Sequence, residues 1–433
     1  MIIIDNKLKE RELNSNPIKV GVIGAGEMAK GLINQITRHT PGMKVIATYN
    51  RSLVRPKEIY KIAGISSYKI VETIFEFKRA IDSKTPIITQ NIDLLIEGEG
   101  IDILVDMTGS IEFSAKLTID AINNKKDILS FNAELDATLG PLLKYKADKA
   151  GVKYSVAEGD QPGVTLNLYR FVKQMGFNPL VCGNIKGMLD EYRTPSTQEN
   201  FAKQWGMSPI MATNFADGTK VSCEQACIAN ATGMKVAKRG MLGYESKEHV
   251  DNLTNLYDVE ELEKLGGIVD FVIGAKPGPG VFVYATSDDP LSIKYLDYGK
   301  LGKGPLYCFY VPYHLLFFEI PISIARMVDF NDTIVASKAG PVVEVITIAK
   351  TDLKKGDKID DIGGYKTYGI CENSDISRKE NLLPIGLAEG CKVIKGLSKD
   401  QEITFDDVEI PKGRLCDTLW KEQLLFFKNN ENI

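Results

Sequence analysis

The chain has 433 residues, of which 44% are hydrophobic and 25% are charged, enough for two or three domains with sizeable cores. The formal net charge is −4 and both signs are mixed along the chain, which argues against a nucleic-acid partner and against a basic membrane-binding face. Seven cysteines without a Cys-x-x-Cys pair argue against a disulfide framework and against structural zinc.

No targeting or membrane segment is predicted. The first residues become polar after three isoleucines, which is too soon for a signal peptide. The longest apolar stretch, residues 306–324, contains Pro312, His314, Glu319 and Pro321, so we expect a buried or active-site segment rather than a membrane span. These features favour a cytoplasmic protein with no membrane partner.

The first strong pattern in the chain is a strand, a glycine-rich turn and a helix. Residues 1–16 form a polar leader that could be a helix, and the apolar run 18–23 then enters the turn. Gly24 permits the sharp turn, Gly26 leaves room for a pyrophosphate, and Ala29 lets the helix approach the strand. The pattern predicts a dinucleotide site whose first residues are Gly24, Gly26, Glu27, Met28 and Ala29.

The second strand, residues 44–50, indicates which dinucleotide binds. An NAD site typically has a carboxylate about 20 residues after the glycines. Here the strand ends in Asn50, Arg51 and Ser52, which suit the 2′-phosphate of NADPH. We therefore predict NADPH rather than NADH. The alternative is that Arg51 is only a solvated loop charge.

Strand and helix patterns alternate up to about residue 160, with strands at 101–106, 127–131 and 152–157 and helices at 113–123 and 139–150. This alternation predicts an α/β Rossmann domain with a doubly wound parallel sheet over residues 1–160. Ligands bind beyond the carboxyl ends of such strands. That rule selects Thr108, Gly109 and Asn132 for the cofactor and Glu134 and Asp160 for the substrate.

The pattern changes after residue 160. Strand-like segments with glycine- and proline-rich loops predict an α+β substrate-binding and dimerisation domain over 161–340, and hence a homodimer or homotetramer. Short strands and turns predict a small β-rich module over 341–433. Cys223 and Cys227 are one helical turn apart and are expected to be core thiols.

The candidate chemical groups cluster in the second domain. Lys186 could be the general acid, Arg193 and Lys220 could bind a phosphate or carboxylate, and Asp217 could orient the proton donor. Further substrate-binding candidates are Asp190, Tyr192, Glu224 and Asn230. The alternative for each is a solvated or structural side chain, and Asp217-Gly-Thr is also a turn signature.

Two further features have two interpretations each. His314 lies in an apolar setting and is either a second candidate proton donor or a core histidine. Glu134 and Asp136 follow a strand end and form either a divalent-metal or sugar-hydroxyl site or the acidic first turn of a helix.

The N-terminal half resembles homoserine dehydrogenase in its glycine turn and in the Thr108-Gly109 strand end, although Ala133 stands where that family has a lysine after Asn132. The whole chain is more similar to the homoserine dehydrogenase-like proteins that carry a C-terminal SAF domain. The motifs that carry this resemblance are Gly159-Asp160-x-Pro162, Asp217-Gly-Thr-Lys220, Ile228-Ala-Asn230-Ala-Thr-Gly233, Arg239-Gly240-Met241-x-Gly243, Pro312-Tyr313-His314-Leu315 and Glu319-x-Pro321.

That group includes type II reductoisomerase-like enzymes, which convert 1-deoxy-D-xylulose 5-phosphate to 2-C-methyl-D-erythritol 4-phosphate with NADPH. The resemblance implies an NADPH-dependent oxidoreductase for a small anionic sugar-like substrate. A divalent cation, Mg²⁺ or Mn²⁺, would stabilise enediolate-like oxygens. The loop at residues 184–195 departs from the reductoisomerase pattern and favours a sugar or sugar-nucleotide reductase of surface-polysaccharide biosynthesis. A homoserine dehydrogenase-type alcohol dehydrogenase and a non-enzymatic NADP-sensing protein are the remaining alternatives.

Overall fold

The computed structural model describes residues 2–429 of the chain. They form two compact units. The first comprises Met1–Asn132, Leu142–Asp160 and Leu315–Ala336, and the second comprises Ala133–Pro141, Gln161–His314 and Ser337–Ile433. The chain therefore returns to the first unit late, over residues that local sequence pattern does not mark as part of it.

The helices are α1 Ile2–Leu13, α2 Glu27–His39, α3 Val54–Ala63, α4 Ile74–Asp82, α5 Asp93–Glu97, α6 Ile111–Asn123, α7 Ala133–Ala150, α8 Gln161–Gln174, α9 Glu199–Trp205, α10 Pro209–Ala216, α11 Thr219–Thr232, α12 Val259–Leu265, α13 Pro290–Tyr298, α14 Ile320–Phe330, α15 Ser374–Lys379, α16 Ile385–Ala388 and α17 Leu415–Asn429. Short 3₁₀ turns cover Pro195–Gln198, Val250–Leu256, Leu316–Phe318 and Phe405–Asp407.

The strands are β1 Ile18–Ile23, β2 Met43–Tyr49, β3 Lys69–Ile70, β4 Ile87–Thr89, β5 Ile103–Asp106, β6 Asp127–Ser130, β7 Tyr154–Val156, β8 Asn178–Lys186, β9 Tyr244–Glu245, β10 Ile268–Ile273, β11 Gly280–Thr286, β12 Tyr307–Val311, β13 Val343–Ala349, β14 Thr367–Asn373, β15 Lys392–Val393 and β16 Val408–Glu409.

The first unit is built on a parallel sheet that, within residues 2–429, has seven strands in the order β3-β4-β2-β1-β5-β6-β7. The chain leaves β1 towards β2 and later crosses to β5 on the other side of β1. The carboxyl end of β1 is therefore the switch point at which ligands bind in such sheets. This arrangement confirms the predicted doubly wound Rossmann fold.

Helix α2 is held on this sheet by a regular apolar stripe. Ala29, Leu32, Ile33 and Ile36 follow one another at intervals of three, one and three residues, which places them on one face of the helix. All four are buried, as a helix packed on a sheet requires. Ile320, Ile324 and Met327 of α14 belong to the same core cluster. Each such fully buried aliphatic side chain stabilises the fold by roughly 1.5–3 kcal/mol.

The polar leader predicted at residues 1–16 forms α1, which is tied to α14 by a charged pair. The Arg11 guanidinium donates to the Asp329 carboxylate, with Nη2 at 2.6 Å from Oδ1 and Nε at 3.0 Å from both oxygens. Both side chains are largely buried, at 17% and 4% exposure. A forked contact of this kind fixes orientation as well as distance.

The second unit is built on a mixed sheet of order β12-β11-β8-β10-β9. β10 runs parallel to β8, whereas β11 runs antiparallel to both β8 and β12. Helices α8 and α11 pack on this sheet and bring residues that are distant in sequence to the end of β8. The α+β class predicted for this part of the chain is confirmed.

The C-terminal part of the second unit contains two small antiparallel pairs, β13–β14 and β15–β16, together with helices α15, α16 and α17. β13 pairs with β14 over its full length, from Val343 opposite Asn373 to Ala349 opposite Thr367. Helix α11 packs against both strands. The apolar run at residues 342–349 predicts a strand, and β13 confirms it.

Cys223 and Cys227 are fully buried on α11, as the sequence predicted, and burial raises the pKa of both thiols well above the usual value. All seven cysteines are free thiols. In the described part of the chain, no helix is both long and apolar enough to cross a membrane. The apolar stretch 306–324 is divided between β12, a 3₁₀ turn and α14.

Candidate functional site

The turn between β1 and α2 has the geometry of a phosphate cradle. Gly24 adopts φ of +102°, a conformation that favours glycine, and an added Cβ would lie 3.2 Å from both Met107 O and Thr108 Cγ2. At Gly26 an added Cβ would meet nothing within 4 Å, so this face of the turn is open. No side chain caps α2 at Gly26. The free N–H groups of its first turn are therefore available to an anion.

The other predicted residues of this turn have distinct places. Ala29 is fully buried and lets α2 approach the sheet, whereas Glu27 and Met28 are half-buried. The Glu27 carboxylate forms an ion pair with Lys30 within the first turn, which offsets its negative charge beside the cradle. The residues that fit a dinucleotide here are thus backbone groups more than side chains.

The end of β2 lies next to this turn and carries the three predicted discriminating residues. Gly24 N donates to Tyr49 O at 2.9 Å, which joins the glycine turn to β2. Asn50 Nδ2 donates to Ser52 O at 2.8 Å and so shapes the loop. Arg51 and Ser52 are exposed, and no acidic residue occupies positions 50–52.

A polar network follows the end of β5. Thr108 donates to Asp106 Oδ1 from its backbone N at 2.9 Å and from Oγ1 at 2.7 Å. Its hydroxyl also lies 3.1 Å from Ser114 Oγ, which accepts from Asn132 Nδ2 at 3.4 Å. The network connects Thr108 and Asn132, two of the predicted cofactor residues, and Gly109 follows with open space around its Cα.

Asp106 and Ser114 are the residues of this network that were not selected from the sequence, and Asp106 is the more deeply involved of the two. Its side chain is fully buried, and burial raises the pKa of its carboxyl, with hydrogen bonds from Ser114 and Thr108 acting in the opposite direction. Its position as the last residue of β5, before a polar turn, was the available signal. Asp106 holds the Thr108 turn in place.

The second unit gathers a polar cluster at the end of β8. The Lys186 ammonium donates to Glu224 Oε2 at 3.0 Å and to Gln161 Oε1. Asn184 Nδ2 donates to the same two oxygens, at 2.8 Å and 3.0 Å respectively. The side chain of Lys186 is 19% exposed, whereas that of Glu224 is 3% exposed. The lysine therefore has limited access to solvent while its acceptors are buried.

A second lysine–glutamate pair lies in the same unit. Lys220 precedes Glu224 by one turn of α11, and its Nζ lies 3.8 Å from Glu134 Oε1. Asn214 Nδ2 donates to the same Glu134 oxygen at 2.7 Å. Both charged side chains are mostly buried, at 12% and 14% exposure. Together, the two pairs contain two positive and two negative charges.

Glu134 and Asp136 lie in the first turn of α7, the helix-terminus interpretation of their position. In the described part of the chain, no group of three or more His, Cys, Asp and Glu side chains is placed to hold a metal ion. Glu134 accepts a hydrogen bond from the Asn214 amide and lies near the Lys220 ammonium, whose positive charge disfavours a metal cation at the same carboxylate. These residues do not fit the Mg²⁺ or Mn²⁺ site implied by the resemblance.

Asp217, predicted to orient the proton donor, forms a buried ion pair with a distant lysine. Its Oδ2 lies 2.8 Å from the Lys350 ammonium, which also donates to Arg193 O and Gly364 O. Its Oδ1 accepts from Thr219 N at 3.0 Å. Burial raises the pKa of the Asp217 carboxyl, and Lys350 opposes that shift. Sequence pattern carried no signal for this partner, because Lys350 is 133 residues away.

The loop after β8 holds three predicted substrate residues. Arg193 Nε lies 2.9 Å from Asp190 Oδ2, so its charge is already compensated. Tyr192 donates its hydroxyl to Asp400 Oδ2 at 2.9 Å, and the Lys399 ammonium lies 3.4 Å from the ring centroid. The Asp400 contact raises the pKa of the Tyr192 hydroxyl.

The remaining predicted residues lie elsewhere. The Asn230 side chain is hydrogen-bonded to backbone, because its Oδ1 accepts from Val342 N and Val343 N and its Nδ2 donates to Val343 O. It therefore secures β13. His314 is half-buried after β12. Asp160 is 9% exposed and immediately precedes α8.

Gln161, Asn184 and Asn214 are the members of this cluster that sequence reasoning did not select. Asn184 is two residues before Lys186, and the period of two along a strand could have indicated that both lie on one face. Gln161 directly follows Asp160, which the strand-end rule selected. Asn214 has no comparable local signal, since its partner Glu134 lies 80 residues away.

Two known families match consecutive parts of the chain. The family described as "Homoserine dehydrogenase, NAD binding domain" matches residues 24–157. The family described as "Oxidoreductase DRL, catalytic domain" matches residues 159–320. The first match covers the glycine turn and the ends of β2 and β5. The second match covers every residue named above in the contacts of Lys186 and Lys220 except Glu134.

Among curated proteins, homoserine dehydrogenase of Bacillus subtilis is 22% identical over 135 residues, which is 31% of this chain. The chain thus spans only 28% of the length of that relative. Among solved structures, scyllo-inositol dehydrogenase from Lactobacillus casei, with bound NAD(H) and scyllo-inositol, is 12% identical with a TM-score of 0.42 and covers 75% of this chain and 93% of its own. The WlbA dehydrogenase from Bordetella pertussis, in complex with NADH and UDP-GlcNAcA, is 15% identical with a TM-score of 0.31 and covers 42% and 50%.

The chain therefore combines a Rossmann sheet in a part that is similar to the NAD-binding domain of homoserine dehydrogenase with a following part that is similar to the catalytic domain of oxidoreductase DRL.

Proposed function

We propose that the chain is an NADPH-dependent reductase of a small polyhydroxylated carbonyl compound, with Lys186 as the proton donor. The observation that carries this proposal is the Lys186 ammonium, which is bonded to Glu224 and Gln161 within the part of the chain matched by the oxidoreductase catalytic family. Carbonyl reduction needs a hydride and a proton, and a positioned acid supplies the proton.

The residues of the first unit fit NADPH. The open turn at Gly26 and the uncapped N-terminus of α2 would hold the pyrophosphate. The exposed Arg51 and Ser52 would bind the 2′-phosphate. Positions 50–52 contain no acidic residue, which is the residue type that binds the 2′-hydroxyl of NADH. When bound, the nicotinamide supplies the hydride.

In the second unit, Lys186 gives its proton to the carbonyl oxygen of the substrate and regains one from solvent. Glu224 accepts a hydrogen bond from the Lys186 ammonium at 3.0 Å and so holds it in place. Lys220, Glu134 and Asn214 offer donors and acceptors to the hydroxyl groups of the substrate. A set of mixed donors and acceptors suits a sugar-like compound.

The charge of the substrate divides the candidates. The two cations proposed to bind an anion, Arg193 and Lys220, are paired with Asp190 and Glu134. This pairing favours an uncharged or singly charged sugar, including a sugar nucleotide whose phosphates lie away from the reacting carbon. A phosphorylated ketose such as 1-deoxy-D-xylulose 5-phosphate is the candidate that the sequence resemblance supports, but the described residues do not fit the divalent-cation site that its rearrangement implies.

The test is a direct spectrophotometric assay with a panel of substrates. The protein is mixed with NADPH or NADH and with ketose phosphates, aldoses, sugar acids and UDP-sugars, each with Mg²⁺ or with EDTA, and nicotinamide absorbance is followed. We expect oxidation of NADPH with at least one sugar-like carbonyl compound, abolished in Lys186→Met. Oxidation of NADH in preference to NADPH, or full activity of the variant, would contradict the proposal.

A further inference from the structure

We propose that Asn184 is a positioning residue that holds the acceptors of Lys186 in place; its effect on turnover rests on the function proposed above. Asn184 and Lys186 are two residues apart on β8, so both lie on the same face of the strand. Each donates to the same pair of oxygens, Gln161 Oε1 and Glu224 Oε2. The two donors and two acceptors form a closed set of contacts.

This set joins three elements. Gln161 is the first residue of α8 and Glu224 lies on α11, so the chain itself does not fix the distance between the two acceptors. The Asn184 amide spans them with contacts of 3.0 Å and 2.8 Å and is itself fully buried. It therefore fixes the separation of the oxygens that receive Lys186.

The geometry leaves one lysine donor for chemistry. An ammonium group has three N–H donors, and Lys186 uses two of them on Gln161 and Glu224. The direction of the third is set by the other two. A lysine side chain has a flexible four-carbon stem, so its ammonium needs such external contacts to stay aligned with a reacting oxygen.

A second observation argues against a purely structural role. Asn184 Oδ1 is buried and accepts no hydrogen bond from the described residues. A buried acceptor without a donor is destabilising, and an apolar side chain of the same size would remove that cost. What the apolar side chain would lose is the pair of N–H contacts to Gln161 and Glu224.

The direct test measures how firmly Lys186 is held. Wild type and Asn184→Leu are labelled briefly with acetic anhydride, and modification of Lys186 is quantified by peptide mass spectrometry against the exposed Lys203. We expect Lys186 to react at least about threefold faster in the variant, since the ammonium is no longer confined. Asn373→Leu is the matched control, because Asn373 donates to Val236 O in the same unit, and it should leave the labelling of Lys186 unchanged.

The kinetic test separates positioning from stability. In Asn184→Leu, kcat should fall at least about tenfold while KM for NADPH and for the carbonyl substrate changes by less than about twofold. If that variant does not fold, Asn184→Ala takes its place. Unchanged labelling of Lys186 in a folded variant would overturn the inference. If wild type reduces no compound, the proposed function fails, and the labelling result still decides whether Asn184 positions Lys186.

Discussion

The Asp217 carboxylate lies 2.8 Å from the Lys350 ammonium, and the two side chains are almost completely buried, at 0% and 2% exposure. The contact joins the turn before α11 to the residue that follows β13. Removing one partner from such a pair leaves an uncompensated buried charge, which is usually more costly than losing the pair. We therefore expect the Asp217–Lys350 pair to contribute to stability.

The first prediction follows from this pair. Asp217→Asn should lower the free energy of unfolding by about 3–5 kcal/mol, because Lys350 keeps its charge without a carboxylate. Chemical denaturation followed by circular dichroism measures the loss. The double variant Asp217→Asn with Lys350→Met should recover part of it. An unchanged unfolding midpoint together with lost turnover would instead make Asp217 catalytic.

The second prediction concerns cofactor choice. Arg51→Ala should raise KM for NADPH by about tenfold or more while leaving KM for NADH nearly unchanged, because the guanidinium would bind only the 2′-phosphate. Lys61→Ala, an exposed cation near the end of α3, is the control and should change neither constant. Equal effects of Arg51→Ala on both cofactors would refute a role in discrimination.

The third prediction concerns substrate charge. Glu134→Gln removes the carboxylate 3.8 Å from Lys220 and so removes one negative charge beside that lysine. The ratio of kcat/KM for a sugar acid or sugar phosphate to kcat/KM for an uncharged sugar should rise by about tenfold, because a site with one negative charge fewer binds an anion more favourably. Glu260→Gln on the exposed face of α12 should not alter the ratio. A constant ratio in Glu134→Gln would remove Glu134 from the site.

The fourth prediction concerns pH. Asp270 accepts from Leu242 N, Gly243 N and the Tyr257 hydroxyl, and burial raises its pKa to about 6. The folded protein therefore binds a proton more readily than the unfolded chain, whose aspartate has a pKa of 3.8. The corresponding stability is fully present below about pH 4 and is lost as pH rises towards 6, by about 3 kcal/mol.

Asp270→Asn checks this dependence, because the amide cannot ionise. We expect the difference in unfolding free energy between wild type and variant to change across pH 4–6 in the variant's favour, and to be constant above pH 7. A difference that does not vary between pH 4 and pH 7 would show that the carboxyl has an ordinary pKa.

The elements of the first unit were largely predictable because the strands and helices of a parallel sheet alternate along the chain and each has a recognisable local pattern of apolar residues. The predicted strand 44–50 is observed at Met43–Tyr49, and the predicted helix 113–123 at Ile111–Asn123. The helix predicted from residue 139 begins at Ala133 instead. Gly140-Pro141 reads as a boundary, yet the helix continues through Pro141. Gly140 is needed there, since an added Cβ would lie 2.4 Å from Asp136 Oδ1 and 2.8 Å from Ser337 Oγ.

The rest depends on contacts between distant residues. Residues 315–336 return to the first unit through the apolar face of α14, which resembles any amphipathic helix in sequence. Lys186 and Lys220 could be selected as chemical groups, but their partners Gln161 and Glu134 could not be paired with them from spacing alone. Asp217 and Asn230 were selected from sequence motifs, and their contacts with Lys350 and with the backbone of β13 could not be predicted from spacing.

The central claim is that Lys186 supplies the proton in carbonyl reduction. It is tested most directly by single-turnover oxidation of enzyme-bound NADPH in Lys186→Met, with Lys203→Met on the exposed side of α9 as the control. We predict that NADPH binds both variants as it binds wild type, and that the rate of oxidation falls by about 10² to 10³ in Lys186→Met alone. A rate in Lys186→Met equal to that of wild type would contradict the account.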